Sequence, residues 1–452
     1  MKKIISLLFV ISIFIGACNS PVKKVTTENN NATGWVDDAV MYEVNVRQFT
    51  PEGTFNAFSR HLPRLKELGV EIIWFMPIHP VGEKNRKGSL GSYYSIKDYK
   101  AVNPEFGTLD DFKSLVAKAH EMGFKVLIDC VANHTSWDSN WIIEHPDWFT
   151  HDSTGNIIPP VADWSDVADL NYENKDMRAA MLDALSFWVA ETDIDGYRCD
   201  YAGGVPTDFW EEARTTLDKI KPVFMLAEDQ DNLDLLNSAF NCNYGWTMHH
   251  YMNEIYSGEK SVTDIKSYFA QIDSTYPEGT YPLQFTTNHD ENSWNGTVYE
   301  RLGDAVKTFA VLSFTVPGMP LIYGGQEVGL NKRLAFFEKD EIDWNGDKSM
   351  TELYAALVDL KQENPALWNG EAGAEIEFIK TSAPEKLLAF KREKDGNEVI
   401  VVMNLSGEKR NETVSFGEKK SCVEYFSKTK TTLAAENSFE LKPWEYRVFI
   451  TE

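Results

Sequence analysis

The sequence predicts an α/β protein: a (β/α)8 TIM barrel with an inserted domain after strand 3 and a C-terminal antiparallel β-sandwich domain. Three observations carry that prediction. Short apolar runs and helix-period stretches alternate through eight units between residues 40 and 363, as parallel strands joined by crossover helices do. Eight such units favour a closed barrel over an open sheet. Beyond about residue 368 the helical period ends, and the runs KLLAFKRE and EVIVVMNLS flank KDGN, an Asp-Gly hairpin signal.

The elements follow in order. VMYEVNV (40–46) reads as the first strand. Phe58, Leu62, Leu65 and Leu68 recur at helical spacing and predict a helix over 56–68. VEIIWFMP (70–77) is the second strand, and Leu109, Phe112, Leu115, Val116 and Ala119 mark the helix after it. FKVLIDCV (124–131) is the third strand. Residues 134–175, rich in Trp, Asp, Asn and Pro, break the alternation and form the inserted domain. The pattern resumes with a helix at 176–191, a strand at 194–199, a helix at 206–220 and a strand at 222–227. A strand near 242–246, a helix at 261–273, a strand at 282–288, a helix at 301–316, a strand at 319–324 and a helix at 350–363 complete the set. The barrel unit is therefore assigned to 35–368 and the β domain to 369–452.

A chain of 452 residues is too long for one ordinary core, which agrees with this division. The formal net charge of -25 repels phosphates, so no nucleic-acid partner is expected, and it argues against a basic membrane patch. It leaves neutral ligands such as sugars open. The N-terminus carries a different signal. MKK precedes IISLLFVISIFI, an apolar run of 12 residues and too short to span a bilayer. The run ends in IGAC, which resembles a bacterial lipobox. That resemblance implies a signal peptide over 1–17, lipid on Cys18, a polar tether over 18–34 and attachment to the bacterial cell envelope, on the periplasmic face or the cell surface. Five cysteines without a CxxC pair give no zinc pattern, and Cys130 and Cys199 lie in strand-like runs as apolar fillers.

In a barrel of this kind the chemistry sits where strands end. The third strand ends in DCVANHTS, with Asp129, Asn133 and His134. The fourth ends in DIDGYRCD (193–200), where Arg198 and Asp200 share a face by strand alternation. Glu228 follows the fifth strand, and His289 and Asp290 follow the seventh. One acidic strand end is explained by a helix cap. Four aimed at one barrel mouth suit cleavage of a glycosidic bond. One carboxylate attacks the anomeric carbon, a carboxylic acid protonates the leaving oxygen, and negative charge stabilises the oxocarbenium-like transition state.

These four segments, in this order, resemble the ordered motifs of the α-amylase family, glycoside hydrolase family 13. GSYYSIKDY (91–99) and VADLN (167–171) resemble two further family stretches. The resemblance implies Asp200 as nucleophile, Glu228 as general acid/base and Asp290 as transition-state stabiliser. It implies a sugar-stacking Tyr94, an orienting Arg198, sugar contacts from His134 and His289, and a supporting role for Asp129. It implies a retaining hydrolase of α-1,4-glucosidic bonds in starch, maltodextrins or related α-glucans, with malto-oligosaccharide as the binding partner and no cofactor for catalysis. CDYAGGVP (199–206) departs from the Lys-His pair found after the nucleophile in many members, and looks more like oligosaccharide-acting types such as cyclomaltodextrinase or neopullulanase; 4-α-glucanotransfer is the other alternative. Asn133 matches a family calcium ligand, with Asp163 or Asp166 to assist, so a structural Ca2+ stays open. Trp294 is the best exposed sugar platform, ahead of Trp137, Trp141 and Trp164. His249 and His250 read as structural, and Asp229 and Glu291 as turned away from the site.

Overall fold

The computed structural model describes residues 34–451. The expected signal peptide, most of the expected tether and Cys18 lie outside the described residues. Eight parallel strands close the barrel: β1 (Met41–Val44), β2 (Ile72–Phe75), β3 (Lys125–Cys130), β4 (Gly196–Cys199), β5 (Phe224–Ala227), β6 (Cys242–Tyr244), β7 (Tyr281–Gln284) and β8 (Met319–Tyr323). Neighbours in the sheet are neighbours in sequence, and β1 pairs with β8 to shut the cylinder.

Strand alternation divides the side chains into two cores. Met41, Ile72, Trp74, Leu127, Phe224, Leu226, Leu283 and Leu321 pack inside the barrel. Tyr42, Ile73, Val126, Ile128, Tyr197, Cys199 and Met225 face the helices outside. The same period of two puts Glu43, Asp129, Arg198 and Glu228 on the inner side, at the ends where the chain leaves the sheet. Register completes the alignment, since Asp129 lies opposite Arg198 across β3 and β4. At the start of β4, Gly196 has φ 153°, and a Cβ there would lie 1.9 Å from the Phe224 carbonyl oxygen. Glycine is what lets β4 lie close enough to β5 for the two strand ends to share a site.

The helices around the barrel are α1 (Leu62–Leu68), α2 (Leu109–Glu121), α3 (Lys175–Thr192), α4 (Thr207–Asp218), α5 (Trp246–Ser257), α6 (Val262–Thr275), α7 (Val306–Thr315) and α8 (Lys348–Glu363). Their starts are readable. Thr108 and Asp111 form a capping box on α2, as do Ser261 and Asp264 on α6. Three expectations are corrected. The helix expected over 56–68 is broken into Phe55–Phe58, a 3-10 turn at Ser59–His61, and α1. The helix expected over 301–316 is interrupted at Gly303, whose φ of 46° ends the short helix Val298–Leu302 before α7 begins. α5 was not expected, although its buried Met248, Met252 and Ile255 keep helical spacing. The His and Tyr residues between them hide that stripe from a count of aliphatic residues.

The insertion between β3 and α3 is built on a two-stranded antiparallel ladder, His134–Ser136 with Val167–Asp169. The C-terminal domain has a six-stranded and a three-stranded antiparallel sheet. Strand Asn397–Asn404 is buried on both faces: Ile400 and Val402 join the sandwich core, and Val399, Val401 and Met403 pack against the barrel's outer core. Arg392 is buried at this junction and donates to the carbonyls of Ala374, Thr315, Val316, Leu367 and Trp368. Among the described residues no helix is long and apolar enough to cross a membrane.

Candidate active site

Arg198 is the centre of the strand ends. It is fully buried, and Nη1 donates to Asp129 Oδ1 at 2.9 Å and to Asp200 Oδ1 at 3.0 Å. Nη2 lies 2.7 Å from Glu228 Oε1, and Nε donates to the Tyr244 hydroxyl at 3.1 Å. One guanidinium thus touches carboxylates from β3, β4 and β5. A rigid, always-charged fork is the only side chain that can do this.

The chain just past β4 is shaped around the same group. Tyr201 has φ 43°, in the left-handed region, which costs a non-glycine residue ~1–2 kcal/mol. Its N–H donates to Glu228 Oε2 at 2.9 Å, and the Ala202 N–H donates to the Glu228 carbonyl at 3.2 Å. Gly203 follows because a Cβ there would lie 2.1 Å from Asp229 Oδ2. The stretch YAGG is therefore packed onto the end of β5, not a free loop.

Beyond β7 the chain leaves the strand at Gln284, and His289 and Asp290 come from the turn after it. His289 lies under the site: Nδ1 is 2.5 Å from Glu43 Oε1, and Nε2 is 2.8 Å from the Tyr94 hydroxyl and 3.4 Å from Asp290 Oδ2. Tyr94 donates to Asp129 Oδ2 at 3.1 Å, which ties the network back to Arg198. Asp290 is more open, and the Trp294 indole N–H donates to its Oδ1 at 3.2 Å.

Burial and crowding set the charges. Burial pushes the Asp200 carboxyl up to about 6, against the pull of Arg198, with Asp129 and Asp290 adding to the rise. Burial pushes Glu228 up to about 7 in the same way, and its anionic neighbours Asp200 and Asp290 reinforce it. Asp129 is raised to about 6 by burial, with Arg198 opposing. His134 moves the other way: burial lowers it to about 4, so it is neutral near pH 7.

A cleft of about 710 Å³ opens above these groups and is lined by Tyr94, His134, Asp200, Glu228 and Asp290 among others. Arg198, Asp129 and His289 form its floor through the contacts above. The structure thus brings Asp200, Glu228, Asp290, Tyr94, His134, Arg198, His289 and Asp129 together at one cleft and its floor. Trp294 is 52% exposed on the cleft wall, as expected of a platform, and packs on Phe336 at 5.2 Å. Trp164 also lines the cleft, whereas Trp137 and Trp141 do not.

Two exclusions are corrected. Asp229 lines the cleft because strand alternation lapses after Glu228, just beyond the end of β5 at Ala227. His250 lines it as well, while His249 is buried against Glu291 at 3.1 Å, so only His249 and Glu291 turn away. Trp246, Phe336, Phe337 and Lys87 are cleft residues that the sequence reading did not name. The adjacent Phe336-Phe337 pair in a polar stretch after β8 was the signal available for two of them.

Of the residues named beside a structural calcium, Asp166 Oδ1 lies 2.9 Å from the Lys87 ammonium, which also donates to the backbone carbonyl of Asp163 at 3.1 Å. The Asn133 Nδ2 atom is directed at His134 Nδ1, 3.3 Å away. Among the described residues no group of three His, Cys, Asp or Glu side chains could hold a metal ion.

Comparison with known proteins agrees with this geometry. The α-amylase catalytic-domain family model matches residues 26–156 and 161–378, and the maltogenic amylase C-terminal domain model matches 376–448. The crystal structure of a maltogenic α-amylase from Thermotoga neapolitana aligns with TM-score 0.84 and 29% identity, over 92% of this chain and 98% of that one. An α-amylase structure from Lactobacillus plantarum aligns with TM-score 0.81 and 31% identity, over 91% and 98%. The α-amylase MalA of Haloarcula japonica is 26% identical over 394 residues, 84% of this chain but 57% of its own length, so the chain spans little more than half of that relative. Barrel, ordered strand ends and C-terminal sheets thus coincide with matches over well more than half the sequence, and the chain belongs to the α-amylase family of glycoside hydrolases.

Proposed function

We propose that the chain hydrolyses α-1,4-glucosidic bonds of starch, maltodextrins or their oligosaccharides, with retention of configuration. The carrying observation is that Asp200, Glu228 and Asp290, from three separate strand ends, line one cleft with Arg198 beneath two of them. Asp200 attacks the anomeric carbon, and Arg198 favours its ionised form. Glu228, held protonated by burial, gives its proton to the leaving oxygen and then takes one from water. Asp290, open to the cleft, faces the developing positive charge of the ring. Tyr94 and His134 border the same space and supply a stacking face and a neutral hydrogen-bonding ring to the sugar.

The test is product chromatography after incubation with starch, pullulan, cyclodextrin and maltotriose. Shorter products of retained anomeric configuration support hydrolysis. Absence of cleavage of all four rejects the reading. Transglycosylation is the second reading, favoured by the aromatic surfaces of Trp164, Tyr201 and Trp246 around the Glu228 side of the cleft, where an acceptor sugar would rest. Maltotriose products longer than the starting sugar select it.

The raised carboxyls predict the pH dependence. The nucleophile must be ionised, so rate falls as pH drops through about 6. The acid must be protonated, so rate falls as pH rises through about 7. A bell in kcat/KM with its maximum between these limbs is expected, and a flat profile from pH 5 to 9 contradicts it. We also propose that lipid on Cys18 tethers the enzyme to the bacterial envelope; supporting this is the IGAC sequence at the end of the apolar run. Cys18→Ala should move the protein from the membrane to the soluble fraction on ultracentrifugation, and an unchanged distribution counts against the tether.

A further inference from the structure

The end of β1 carries a buried carboxylate that the proposed reaction does not use. Glu43 is fully buried, faces the barrel interior, and lies opposite Trp74 and Tyr323 in register. Its Oε2 has no hydrogen-bond partner among the described residues. Its Oε1 meets a single group, His289 Nδ1, at 2.5 Å. A buried carboxylate with so little solvation needs a cation beside it.

The hydrogen-bond inventory around His289 supplies one. The Tyr94 hydroxyl has one proton, and it goes to Asp129 Oδ2 at 3.1 Å. The Tyr94 oxygen must then accept from His289 Nε2, 2.8 Å away. Nε2 therefore carries a proton. Nδ1, facing the Glu43 carboxylate, carries another. A ring with both nitrogens protonated is an imidazolium. It lies between the carboxylates of Glu43 and Asp290, the latter 3.4 Å from Nε2.

We propose that Glu43 is a positioning residue that holds His289 as an imidazolium beneath the cleft, with its Nε2–H given to the hydroxyl of Tyr94, which lines the cleft. A neutral imidazole there could be donor or acceptor at Nε2; the Glu43 contact selects the donor. It also places one positive charge against Asp290, balancing that carboxylate from below as Arg198 balances Asp200 and Glu228. The groups facing this ring are all named by the structure. They are Glu43 from β1, Asp129 from β3, Arg198 from β4, Tyr94 from the loop after β2 and the adjoining Asp290, with the Trp74 ring edge-on at 6.1 Å. Tyr323 of β8 and Tyr244 of β6 are the other titratable groups beside Glu43. The electrostatic balance agrees: burial alone would lower His289, but Asp290 and Glu43 outweigh it and raise it to about 9.

Glu43→Gln keeps the shape and removes the charge. The kinetic arm rests on the glycosidase reading. In the wild type, log kcat/KM should fall with unit slope above pH 7 as Glu228 loses its proton, then steepen as His289 loses its own near 9. In E43Q the steeper fall should begin at lower pH, a shift of at least about one pH unit, with Asp290 still holding part of the charge on the ring. An E43Q enzyme of wild-type thermal stability with the steepening still near 9 would overturn the proposal. The second arm needs no activity. The wild type labelled with imidazole-15N histidine, with the His289 signal assigned by its loss in His289→Gln, should show both ring nitrogens protonated at pH 8. A neutral tautomer at that pH overturns the proposal even if E43Q does not fold. Failure to cleave any α-glucan would instead reject the functional reading and leave the NMR result standing.

Discussion

Asp200→Asn is expected to bind malto-oligosaccharide with near-native affinity and to turn over on the order of 10^4-fold more slowly or worse, the scale on which loss of a nucleophile is felt. The amide fills the same space and can still accept the Arg198 Nη1 bond that the carboxylate accepts at 3.0 Å, so the cleft keeps its shape. What it lacks is the negative charge that forms the covalent bond to the anomeric carbon. The loss should fall on kcat, because Tyr94, His134 and Trp294 line the cleft independently of Asp200. Stability should hold or improve slightly, since the variant removes one of three carboxylates crowded on Arg198. Stopped-assay kinetics and calorimetric titration with maltoheptaose measure the two halves. A variant retaining a tenth of the wild-type rate removes Asp200 from the nucleophile role, and a variant that has lost sugar affinity as well shows that the residue binds more than it reacts.

The strand ends were legible because two strong rules coincide there. Apolar runs fix where strands lie, and alternation fixes which residues point inward, so Asp129, Arg198 and Glu228 could be placed before any coordinates. Alternation fails where the strand stops. Asp229, one residue past Glu228, was assigned to the wrong side because β5 ends at Ala227 and the chain turns onto Gly203. Glu291, in the irregular turn after Asp290, does turn away, held by His249 and Arg301. The cleft walls were less legible for a different reason. Phe336 and Phe337 come from a segment with no periodic pattern of its own, and their positions depend on long-range contacts, while Trp246 opens α5, the helix whose stripe its His and Tyr residues hide. The Phe336 loop is pinned by Asn292, which accepts from the Leu334 N–H at 2.8 Å and donates to the Lys332 carbonyl at 3.0 Å. Nothing in the local sequence announces that pairing across some forty residues. Glu43 was hidden differently: it sits in a strand that was correctly read, but an inward carboxylate gains meaning only once His289 is known to lie above it.

Arg198→Met is expected to cost ~3–5 kcal/mol of stability and to leave activity undetectable at pH 7. The side chain is fully buried, so methionine roughly fills its volume, but Asp129, Asp200 and Glu228 lose their shared cation. Arg198 is the main influence lowering all three carboxyls, which burial already raises to about 6, about 6 and about 7. Without it they rise further, and Asp200 stays protonated at the pH where it must attack. The sign of the stability effect follows from linkage. A carboxyl raised in the folded state binds more protons folded than unfolded, so stability falls as pH rises from its unfolded value through its folded one. The variant should therefore lose more against wild type at pH 8 than at pH 5, measured by urea unfolding at both. Arg198→Lys separates charge from reach. Its single ammonium restores part of the stability, but it cannot hold Asp129, Asp200 and Glu228 at once as the guanidinium does, so activity should recover far less than folding. If the lysine variant regained full activity, the three-way grip of Arg198 would be unnecessary, and only the presence of a positive charge beneath the cleft would matter.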